Sequence, residues 1–407
     1  MTMAMTMDST PSFWMNVAPI TGAVESPGDG GIAVIGSGLA GASVAYWLLE
    51  RGFEDITIID FEQEKAATYR NCGHILYGTV ESMMALSALH GEETARKIWG
   101  YSIEICHEVR ETVRRLKMDA DYRQDGYLVI AIDDTEDHEI KESIKLLNRN
   151  GFDSRYIPRS EVEGMGFKNV RGARYEPGSA QAHPVKFRNG LIQDVMRRGV
   201  RYVSGVKVTS VEEVGDHVDV QSQHGTHRFD AAVLATNAYS PLVSRYFAER
   251  KLVDPFKGQI ITSKPLRHEF KVKYPHSFDH GYEYALISED NRLIIGGWRN
   301  NTPGGEIGTY DVIPNPAVEK GLRDFVKEHY AIREPIEWEY SWAGIMAASR
   351  TGFPFIGPTT SQRIYTCAGF TGHGFSWAHG SAKLLSDIMA GNPIPDVAKY
   401  FSPKPVS

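Results

Sequence analysis

The feature that most constrains this fold is a glycine-rich turn near the start of the chain. It lies inside the run GIAVIGSGLAGASVAYWLLERGFEDITIID, which begins at Gly31 and ends at Asp60. The apolar runs IAVI and ITII are as short as buried strands, and the stretch between them is typical of a helix that stops at Gly52. Strand, glycine turn, helix and strand in this order predict a parallel βαβ unit. The sequence therefore predicts an α/β fold that opens with a Rossmann-like unit.

The residues of this turn have separate roles in such a unit. Gly36 permits the tight turn, Gly38 lets the backbone approach a diphosphate, and Gly41 lets the helix and the strand pack closely. The N-terminus of the helix, near Leu39 and Ala40, offers unpaired N–H groups and a partial positive charge to phosphate. We expect all five residues to contact a dinucleotide.

Asp60 ends the second strand, where its carboxylate can bind the hydroxyl groups of a ribose and would repel a 2′-phosphate. The combination of strand, helix, second strand and terminal acid indicates a dinucleotide site. The alternative is a glycine turn in an unrelated α/β sheet. NAD and FAD both fit these residues.

A second glycine turn, near the other end of the chain, favours one of the two cofactors. The strand-like run IYTCAGF leads into TGHG, and the helix-like run FSWAHGSAKLLSDIMAG follows and stops at Gly391. Reduced flavin carries negative charge near N1 and O2, which a helix N-terminus pointed there would stabilise. A plain strand–helix unit is the alternative. We expect flavin contacts from Gly369, Gly372, His373, Gly374, Phe375 and Ser376.

Taken together, the two turns resemble those of the FAD-dependent D-amino-acid oxidase superfamily, nearest to its sarcosine oxidase, glycine oxidase and γ-glutamylputrescine oxidase branches. Further segments match in family order, namely RNCGH, GVRYVSGVKVTSVE, DAAVLATNAYSP, SEDNRLIIGGWRNN and MAASRTGFPFIGP. The resemblance covers roughly residues 32–391. It implies additional contacts to FAD from Arg70, Asn71, Cys72, Gly73, Val208, Ala235 and Thr236.

The resemblance also implies an α+β chain with two interleaved domains. A Rossmann-like domain would bind FAD, and a domain with a mixed sheet would bind the substrate. The FAD-binding domain is expected to comprise residues 30–88, 155–245 and 345–398, and the substrate-binding domain residues 89–154 and 246–344. We expect residues 1–29 to form a flexible N-terminal tail, from which Trp14 docks on the body of the protein.

The implied activity is oxidation of the C–N bond of a small amine or amino acid. A hydride would pass from the carbon next to nitrogen to flavin N5, and the resulting imine would hydrolyse in water. Oxygen or another electron acceptor would then reoxidise the flavin. His74 and His373 are expected at the flavin as catalytic side chains, and Arg350 as the arginine that binds a substrate carboxylate. A structural histidine or a solvated arginine is the alternative for each.

Aromatic side chains on the expected substrate strands are candidates for the wall of the pocket. A role in the hydrophobic core is the alternative for each of them. Arg299 is a weaker candidate than Arg350 for binding a carboxylate. The expected substrate-binding residues are Tyr284, Trp298, Arg299, Trp342 and Arg350.

Three departures from the family pattern bear on function. Ser376 and Ile294 stand where sarcosine oxidases have lysines for the substrate carboxylate and for oxygen activation, with Lys257 as a candidate substitute for the second. A dehydrogenase and a non-catalytic FAD-binding subunit of a complex are therefore alternatives. An NAD-dependent dehydrogenase is a further alternative, which the first glycine turn alone would allow. The segment SWAGIMAAS has no cysteine for covalent attachment, so we expect non-covalent FAD, with attachment at Cys72 as the alternative.

Composition excludes several classes of protein. A net charge of −7 and a pI near 6.1 argue against a general nucleic-acid binder. Three cysteines give neither a disulfide framework nor a Cys-x-x-Cys metal site, which favours a reducing, cytoplasmic setting without a bound metal. No apolar run is long enough to span a bilayer. The sequence predicts no particular oligomeric state.

Overall fold

Two large sheets organise the chain, and each gathers strands from distant parts of the sequence. In the computed structural model, residues 9–23, 25–267, 269–271 and 273–404 are described. The strands, in chain order, are β1 Ile32–Ile35, β2 Ile56–Asp60, β3 His74–Ile75, β4 Tyr127–Ile130, β5 Arg155–Ile157, β6 Ala173–Glu176, β7 Ala180–Gln181, β8 Arg201–Ser204, β9 Val208–Val214, β10 His217–Ser222, β11 Gly225–Phe229, β12 Ala231–Leu234, β13 Val253–Ser263, β14 His276–Phe278, β15 Glu283–Ile287, β16 Leu293–Gly296, β17 Trp338–Ser349, β18 Phe355–Pro358 and β19 Ile364–Ala368.

The helices cover the sheets and follow the apolar periodicity of the sequence. In the long third helix the buried residues Ile98, Ile105 and Val109 lie on one face, and glutamates open the helix where arginines close it. Within the described residues, no helix combines the length and the apolar composition needed to cross a bilayer. The helices are α1 Leu39–Glu50, α2 Met83–His90, α3 Glu92–Arg115, α4 Asp134–Arg149, α5 Arg159–Gly164, α6 Pro184–Arg197, α7 Ser240–Val243, α8 Arg245–Arg250, α9 Pro316–His329 and α10 Gly374–Ala390.

The six-stranded sheet has the order β18-β19-β12-β1-β2-β8. Strand β1 is parallel to β2 on one side and to β12 on the other, and β12 is parallel to β19. All four residues of β1 are buried, as expected for a parallel strand covered on both faces. The carboxyl ends of β1, β12 and β19 therefore meet at one edge of the sheet, and the two glycine turns follow β1 and β19 at that edge.

The eight-stranded sheet has the order β17-β13-β16-β15-β14-β4-β6-β5. Strands β13 and β17 pair antiparallel from Val253↔Ser349 to Ser263↔Trp338. Val318, Leu322 and Phe325 of α9 join the buried residues of one face in a hydrophobic cluster. On the other face, Trp342, Leu286 and Ile294 form a cluster with Tyr69 and Cys72, which lie in the segment after β2 of the six-stranded sheet. This second face is the one turned toward the glycine turns.

The structure differs from the predicted domain boundary at residue 155. Strands β5 and β6 were expected in the FAD-binding domain, but β6 pairs with β4 in the eight-stranded sheet, where Glu176 lies opposite Tyr127. This pairing joins segments separated by two helices and a strand, and no local pattern in the sequence specifies it. The rest of the division into two domains stays a prediction.

The N-terminal segment is not a free tail over its described part. Phe13 and Trp14 are buried, the Trp14 indole N–H donates to Asn71 O, and the Ser12 hydroxyl donates to Tyr69 O. The docking of Trp14 is thus confirmed, and Ser12 and Phe13 dock with it. The physical reason is that two large apolar rings bury more surface on the body than a solvated chain permits. Residues 1–8 and Val24 lie outside the described part.

One histidine joins three helices in the core. His379 of α10 is bonded through Nδ1 to the Ser43 hydroxyl of α1 and through Nε2 to the Thr112 hydroxyl of α3, both at 2.9 Å. Burial, reinforced by the charges of Arg115 and Lys383, lowers the pKa of His379 to about 3. The imidazole is therefore neutral in the folded protein at neutral pH.

We expect His379→Gln to lower the free energy of unfolding by about 2–3 kcal/mol at pH 7, because the amide cannot keep both bonds. The folded-state pKa of His379 lies below its unfolded value, so the unfolded wild-type chain binds more protons as pH falls below about 6.5. The wild-type advantage should shrink by about 1.4 kcal/mol for each pH unit below 6.5. Urea unfolding at pH 7 and pH 5 measures it, and a pH-independent difference would contradict the assignment.

Candidate active site

The first glycine turn is closed by backbone contacts that exclude side chains. Gly36 has a φ of +103°, and a Cβ there would lie 2.9 Å from Ala235 O at the end of β12. A Cβ on Gly41 would overlap Gly36 O and lie 2.8 Å from Gly36 C. The tight turn and the close helix–strand packing predicted for these two glycines are both present.

The N-terminus of α1 presents amide groups at this turn. Its N-cap residue is Gly38, which has no side chain to cap the helix, and the first intrahelical bond is donated by the Ala42 amide to Gly38 O. The Leu39 amide donates to the Thr68 hydroxyl at 2.8 Å. The amides of Ala40 and Gly41 precede the first helical bond and point along the helix axis. This arrangement suits a diphosphate.

Asp60 lies beside this turn at the end of β2. Its carboxylate accepts hydrogen bonds from the Ser37 hydroxyl and from the Phe61 amide, the latter at 2.8 Å. Burial raises the pKa of Asp60, while the Ser37 bond and the charge of Arg188 oppose that rise. Val206 N donates to Asp60 O at 3.0 Å, so the segment that leads into Val208 lies alongside.

Arg188 is a functional residue that the sequence analysis missed. Its guanidinium is fully buried and donates to Ser37 O at 2.9 Å, to the Ser37 hydroxyl at 2.8 Å and to the Tyr202 hydroxyl at 2.7 Å. It also donates to Gln63 and to Ile20 O. The available signal was its position on the apolar face of α6, with the helical spacing of Val185, Ile192 and Val195.

The second glycine turn follows β19, and one strand, β12, lies between β19 and the strand β1 that leads into the first turn. The Gly369 amide donates to the Asn237 side chain at 2.9 Å, and Asn237 follows β12, whose end touches Gly36. Thr371 has a φ of +45°, which is an uncommon conformation for a β-branched residue, and the Ser349 amide donates to its hydroxyl. Because neighbouring strands are about 4.8 Å apart, the two turns are about 10 Å apart along the edge.

Helix α10 begins at this second turn. His373 is its N-cap residue and makes no side-chain cap bond, so the first amides of the helix face the edge of the sheet. Ser376 is buried, and its hydroxyl accepts the Leu76 amide at 2.7 Å. Ser376 therefore fastens the loop after β3 to α10.

These features test whether a dinucleotide fits. The edge combines a backbone cradle that a Cβ would fill at Gly36 and Gly41, two helix N-termini without side-chain caps, and an acid at the end of β2. The amides match a diphosphate, the carboxylate of Asp60 matches ribose hydroxyls, and the α10 terminus matches a ring that gains negative charge. The residues present thus fit FAD.

The loop from Arg70 to Gly73 connects the two sheets. The Arg70 guanidinium donates to Ala343 O of β17 at 2.6 Å and to Glu64 O at 2.9 Å. Asn71 shapes the turn by accepting the Gly73 amide at 2.7 Å. Cys72 is buried, and burial raises the pKa of its thiol well above the ordinary range. A thiol in that state is a poor nucleophile.

The two predicted histidines are neutral in the folded protein. Burial lowers the pKa of His74 to about 3, and the charges of His276 and His373 act in the same direction. Burial also lowers the pKa of His373. His74 Nε2 is bonded to Ala285 O at 3.0 Å, and its ring centroid is 5.9 Å from that of Tyr127 and 6.4 Å from that of Tyr284. Tyr127 was not predicted.

Three glycines lie close together in the eight-stranded sheet near these rings. Gly258, Gly296 and Gly344 lie on the neighbouring strands β13, β16 and β17. A Cβ at each would lie 2.5 Å from Met346 Cε, 2.6 Å from Tyr284 Cε2 and 2.6 Å from Arg70 Cβ, respectively. The glycines therefore make room for the side chains of Met346, Tyr284 and Arg70 on this part of the sheet, which adjoins His74.

Arg299 brings a positive charge to this part of the sheet. Its Cζ is 4.7 Å from the ring centroid of Phe256 and 5.4 Å from that of Tyr282, and its Nη1 donates to Gly305 O at 3.4 Å. Its charge opposes the rise that burial causes in the pKa of Tyr284. Arg299 and Tyr284, both predicted, are therefore neighbours in the fold.

The structure does not bring the other predicted substrate residues next to Arg299 and Tyr284. Arg350 is exposed, and its guanidinium donates to Arg250 O at 2.8 Å on the surface. Trp298 packs on the opposite face of the sheet, 6.2 Å from the ring of Phe325, where its indole takes the room of a side chain at Gly321. The reason is local: a φ of +65° at Trp298 turns its side chain toward α9.

Trp342 has a structural role next to the same loop. It is fully buried, and its indole N–H donates to Arg70 O at 3.1 Å. It fixes the loop that carries Arg70 rather than forming an exposed aromatic wall.

Two side chains bear on the expected oxygen chemistry. Ile294 is fully buried in the cluster that contains Trp342. Lys257 is held by Glu306 at 2.8 Å and by Ile313 O at 3.1 Å. These bonds fix its ammonium group against the segment 306–313, so the structure does not support Lys257 as a substitute for the lysine that Ile294 replaces.

Comparison with known proteins agrees with this geometry. The family model for FAD dependent oxidoreductases (DAO) matches residues 31–388. Gamma-glutamylputrescine oxidoreductase of Escherichia coli (strain K12) is 24% identical over 376 residues, which cover 89% of this chain and 84% of that protein. D-amino acid dehydrogenase of Neisseria gonorrhoeae (strain NCCP11945) is 23% identical over 407 residues, with 88% and 95% coverage. The solved structure of glycine oxidase from Geobacillus kaustophilus has the same fold, with a TM-score of 0.76, 18% identity and 92% and 98% coverage.

Proposed function

Because this chain belongs to the family of FAD dependent oxidoreductases, we propose that it oxidises the C–N bond of an amine that carries a carboxylate. The substrate class is that of amino acids and N-substituted amino acids. The observation that carries the proposal is the guanidinium of Arg299, which stacks on Phe256 and Tyr282 and whose charge acts on Tyr284, the ring next to His74. A fixed cation in such surroundings attracts a carboxylate.

Similar proteins support this class of substrate. The relatives named in the preceding paragraphs are called after an amino acid, glycine or a glutamyl-substituted amine. These names describe those proteins, and the sequence identity is below 25% in each case. They support oxidation next to nitrogen as the reaction, while the choice among substrates depends on the residues of this chain.

The residues that would hold FAD follow from the edge of the six-stranded sheet. The amides at Ala40 and Gly41 would meet the diphosphate, Asp60 the ribose, and the α10 terminus at Gly374 the flavin ring. When bound, the cofactor would supply an acceptor for a hydride from the carbon next to the substrate nitrogen, and the substrate imine would hydrolyse in water. The cofactor is proposed to be non-covalent, because the Cys72 thiol is buried with a raised pKa and residues 341–349 contain no cysteine.

His74 would orient the substrate amine rather than take a proton from it. Its Nε2 faces a carbonyl oxygen, which can only accept, so this nitrogen carries the ring proton. Its Nδ1 is then an acceptor for an N–H of the substrate. A pKa of about 3 makes His74 too weak a base to remove a proton from an ammonium group. The substrate must therefore react in its free-base form.

The test compares each substrate with the same amine lacking its carboxylate, by anaerobic bleaching of the flavin. We expect Arg299→Ala to lower kcat/KM for the carboxylate-bearing substrate by about 10- to 100-fold, because the carboxylate loses the half-buried cation with which it pairs. The rate with the amine lacking a carboxylate should stay within about twofold.

Arg350→Ala is the matched control. It removes an exposed arginine whose guanidinium bonds to a backbone carbonyl at the surface, and it should leave both rates unchanged. Equal effects of Arg299→Ala on both substrates would rule out carboxylate recognition, and bound FAD that no amine bleaches would favour a non-catalytic subunit.

A further inference from the structure

The turn before Arg299 holds its backbone in an unfavourable conformation. Gly297 has a φ of +130° and Trp298 a φ of +65°, and the left-handed region is unusual for so bulky a residue. This turn ends β16 and sets the direction in which the next side chain leaves the sheet. A conformation of this kind persists only where surrounding contacts fix it.

Glu283 supplies the contact nearest to the strain. Its side chain is buried, and its Oε1 accepts the Trp298 amide at 3.1 Å. The Gly297 amide donates to Gln259 O at 3.2 Å on one side of this bond, and the Asn300 side chain donates to Asp279 at 3.2 Å on the other. The three bonds fix the backbone on both sides of Arg299.

The guanidinium of Arg299 depends on this turn for its direction. It stacks on two rings and makes one long bond, of 3.4 Å, to Gly305 O. Gly304 and Gly305 both have positive φ values, so the segment that carries this acceptor has glycine backbone at that point. Such contacts hold a side chain loosely unless its own backbone is fixed.

We propose that Glu283 is a positioning residue, which accepts the Trp298 amide and so directs Arg299 toward the carboxylate of the substrate. This role rests on the proposed function of Arg299. Glu283 precedes Tyr284 on β15, so one strand places both the wall of the site and the support of its cation.

The charge state of Glu283 agrees with such a role. Burial raises its pKa to about 8, and the charges of Asp279 and Glu136 act in the same direction. At pH 7 it is a neutral acceptor, so it adds no negative charge that competes with the substrate for Arg299. The titratable groups that interact with Glu283 are Asp279, Glu136, Tyr284 and Tyr330.

The experiment uses the FAD-loaded protein and benzoate, a carboxylate without an amine to oxidise. Its Kd is measured from the change in the flavin spectrum and by calorimetry, for wild type, Glu283→Gln and Glu283→Ala. Glu283→Ala should weaken benzoate binding about 10-fold at pH 7, because the amide of Trp298 loses its acceptor. Glu283→Gln keeps an acceptor oxygen and should bind like wild type at pH 7.

The pH dependence gives a second readout. Wild-type affinity for benzoate should fall between pH 7 and pH 9 as Glu283 ionises beside Asp279 and Glu136, and Glu283→Gln should abolish that fall. Glu289→Ala, which removes an exposed acid between β15 and β16, should bind benzoate like wild type at both pH values.

The two proposals fail in different ways. If Arg299→Ala abolishes benzoate binding but both Glu283 variants match wild type at pH 7 and pH 9, the positioning role is overturned and carboxylate recognition by Arg299 stands. If Arg299→Ala leaves benzoate binding unchanged, the proposed function itself is overturned. Should Glu283→Ala fail to fold, Glu283→Gln at pH 7 still decides the matter, because weaker benzoate binding by a variant that keeps the acceptor oxygen contradicts the role.

Discussion

Gly41→Ala is expected to give a protein that cannot retain FAD. The new methyl group would overlap Gly36 O and lie 2.8 Å from Gly36 C, so α1 must move away from the end of β1. Both contacting atoms belong to the backbone of the turn, which cannot rotate aside as a side chain can. The displaced helix would carry the amides of Ala40 and Gly41 away from the diphosphate.

We expect the affinity for FAD to fall by at least about 100-fold, which corresponds to about 3 kcal/mol. Gel filtration followed by the ratio of flavin to protein absorbance measures the retained cofactor. Gly100→Ala is the matched control, since Gly100 lies inside α3 and a Cβ there meets nothing closer than 3.9 Å. The control should keep its FAD and gain about 0.5–1 kcal/mol of stability. A yellow Gly41→Ala protein would show that the turn is not the diphosphate site.

Arg188→Met is the second change with a large expected effect, on stability as well as on the cofactor. The methionine fills part of the volume but donates no hydrogen bond, which leaves Ser37 O, Ile20 O and the Gln63 side chain without the buried cation they contact. We expect the free energy of unfolding to fall by about 3–5 kcal/mol, because several buried acceptors lose their donor at once.

The same change should weaken FAD binding through Asp60. The charge of Arg188 holds down a pKa that burial raises, so its loss favours the protonated acid and a weaker bond to ribose hydroxyls. Urea unfolding and FAD titration at pH 6 and pH 8 measure the two effects, and the deficit in FAD affinity should be larger at pH 6. Arg197→Met, on the exposed end of the same helix, should change stability by no more than about 1 kcal/mol. Equal stability of the Arg188 and Arg197 variants would disprove the buried network.

The parts of the fold that the sequence predicts well are those encoded by local patterns. The stretch from Ile32 to Asp60 contains its turn, its helix and both strands within one run, and the observed bounds of β1, α1 and β2 follow that reading. The helix after Gly374 is similar. In these segments the apolar period, the glycines and the stops all agree, so no distant contact is needed to choose the structure.

The features that the sequence does not predict depend on contacts across the chain. The pairing of β6 with β4 requires the segment between them, which contains α4, β5 and α5, to fold back. The burial of Trp14 depends on the loop at Asn71. Trp298 and Arg299 are adjacent in sequence, yet a single backbone angle sends them to different sides of the sheet. An interpretation by residue type assigned both to the substrate, and it could not separate them without that angle.

The placement of Arg350 shows the limit of reasoning from a motif alone. It precedes TGFPFIG, as the family pattern suggested, but it lies in the turn after β17, where its guanidinium contacts the carbonyl of Arg250. Arg188 is the reverse case, because an arginine on an apolar helical face is a signal in the sequence itself that a buried cation needs polar partners. Charged residues that interrupt an apolar stripe are therefore as informative as motifs.

The strand order of the six-stranded sheet has a consequence for biosynthesis. A ribosome releases β1 first, but β12, which must pair with it, emerges roughly two hundred residues later, and β19 follows after more than a hundred others. No portion of the nascent polypeptide that lacks β19 holds a complete cradle, so the vitamin-derived ligand can join only after that strand has emerged. Purified protein that is yellow would accordingly consist of chains that were translated at least through β19 and that paired this strand correctly.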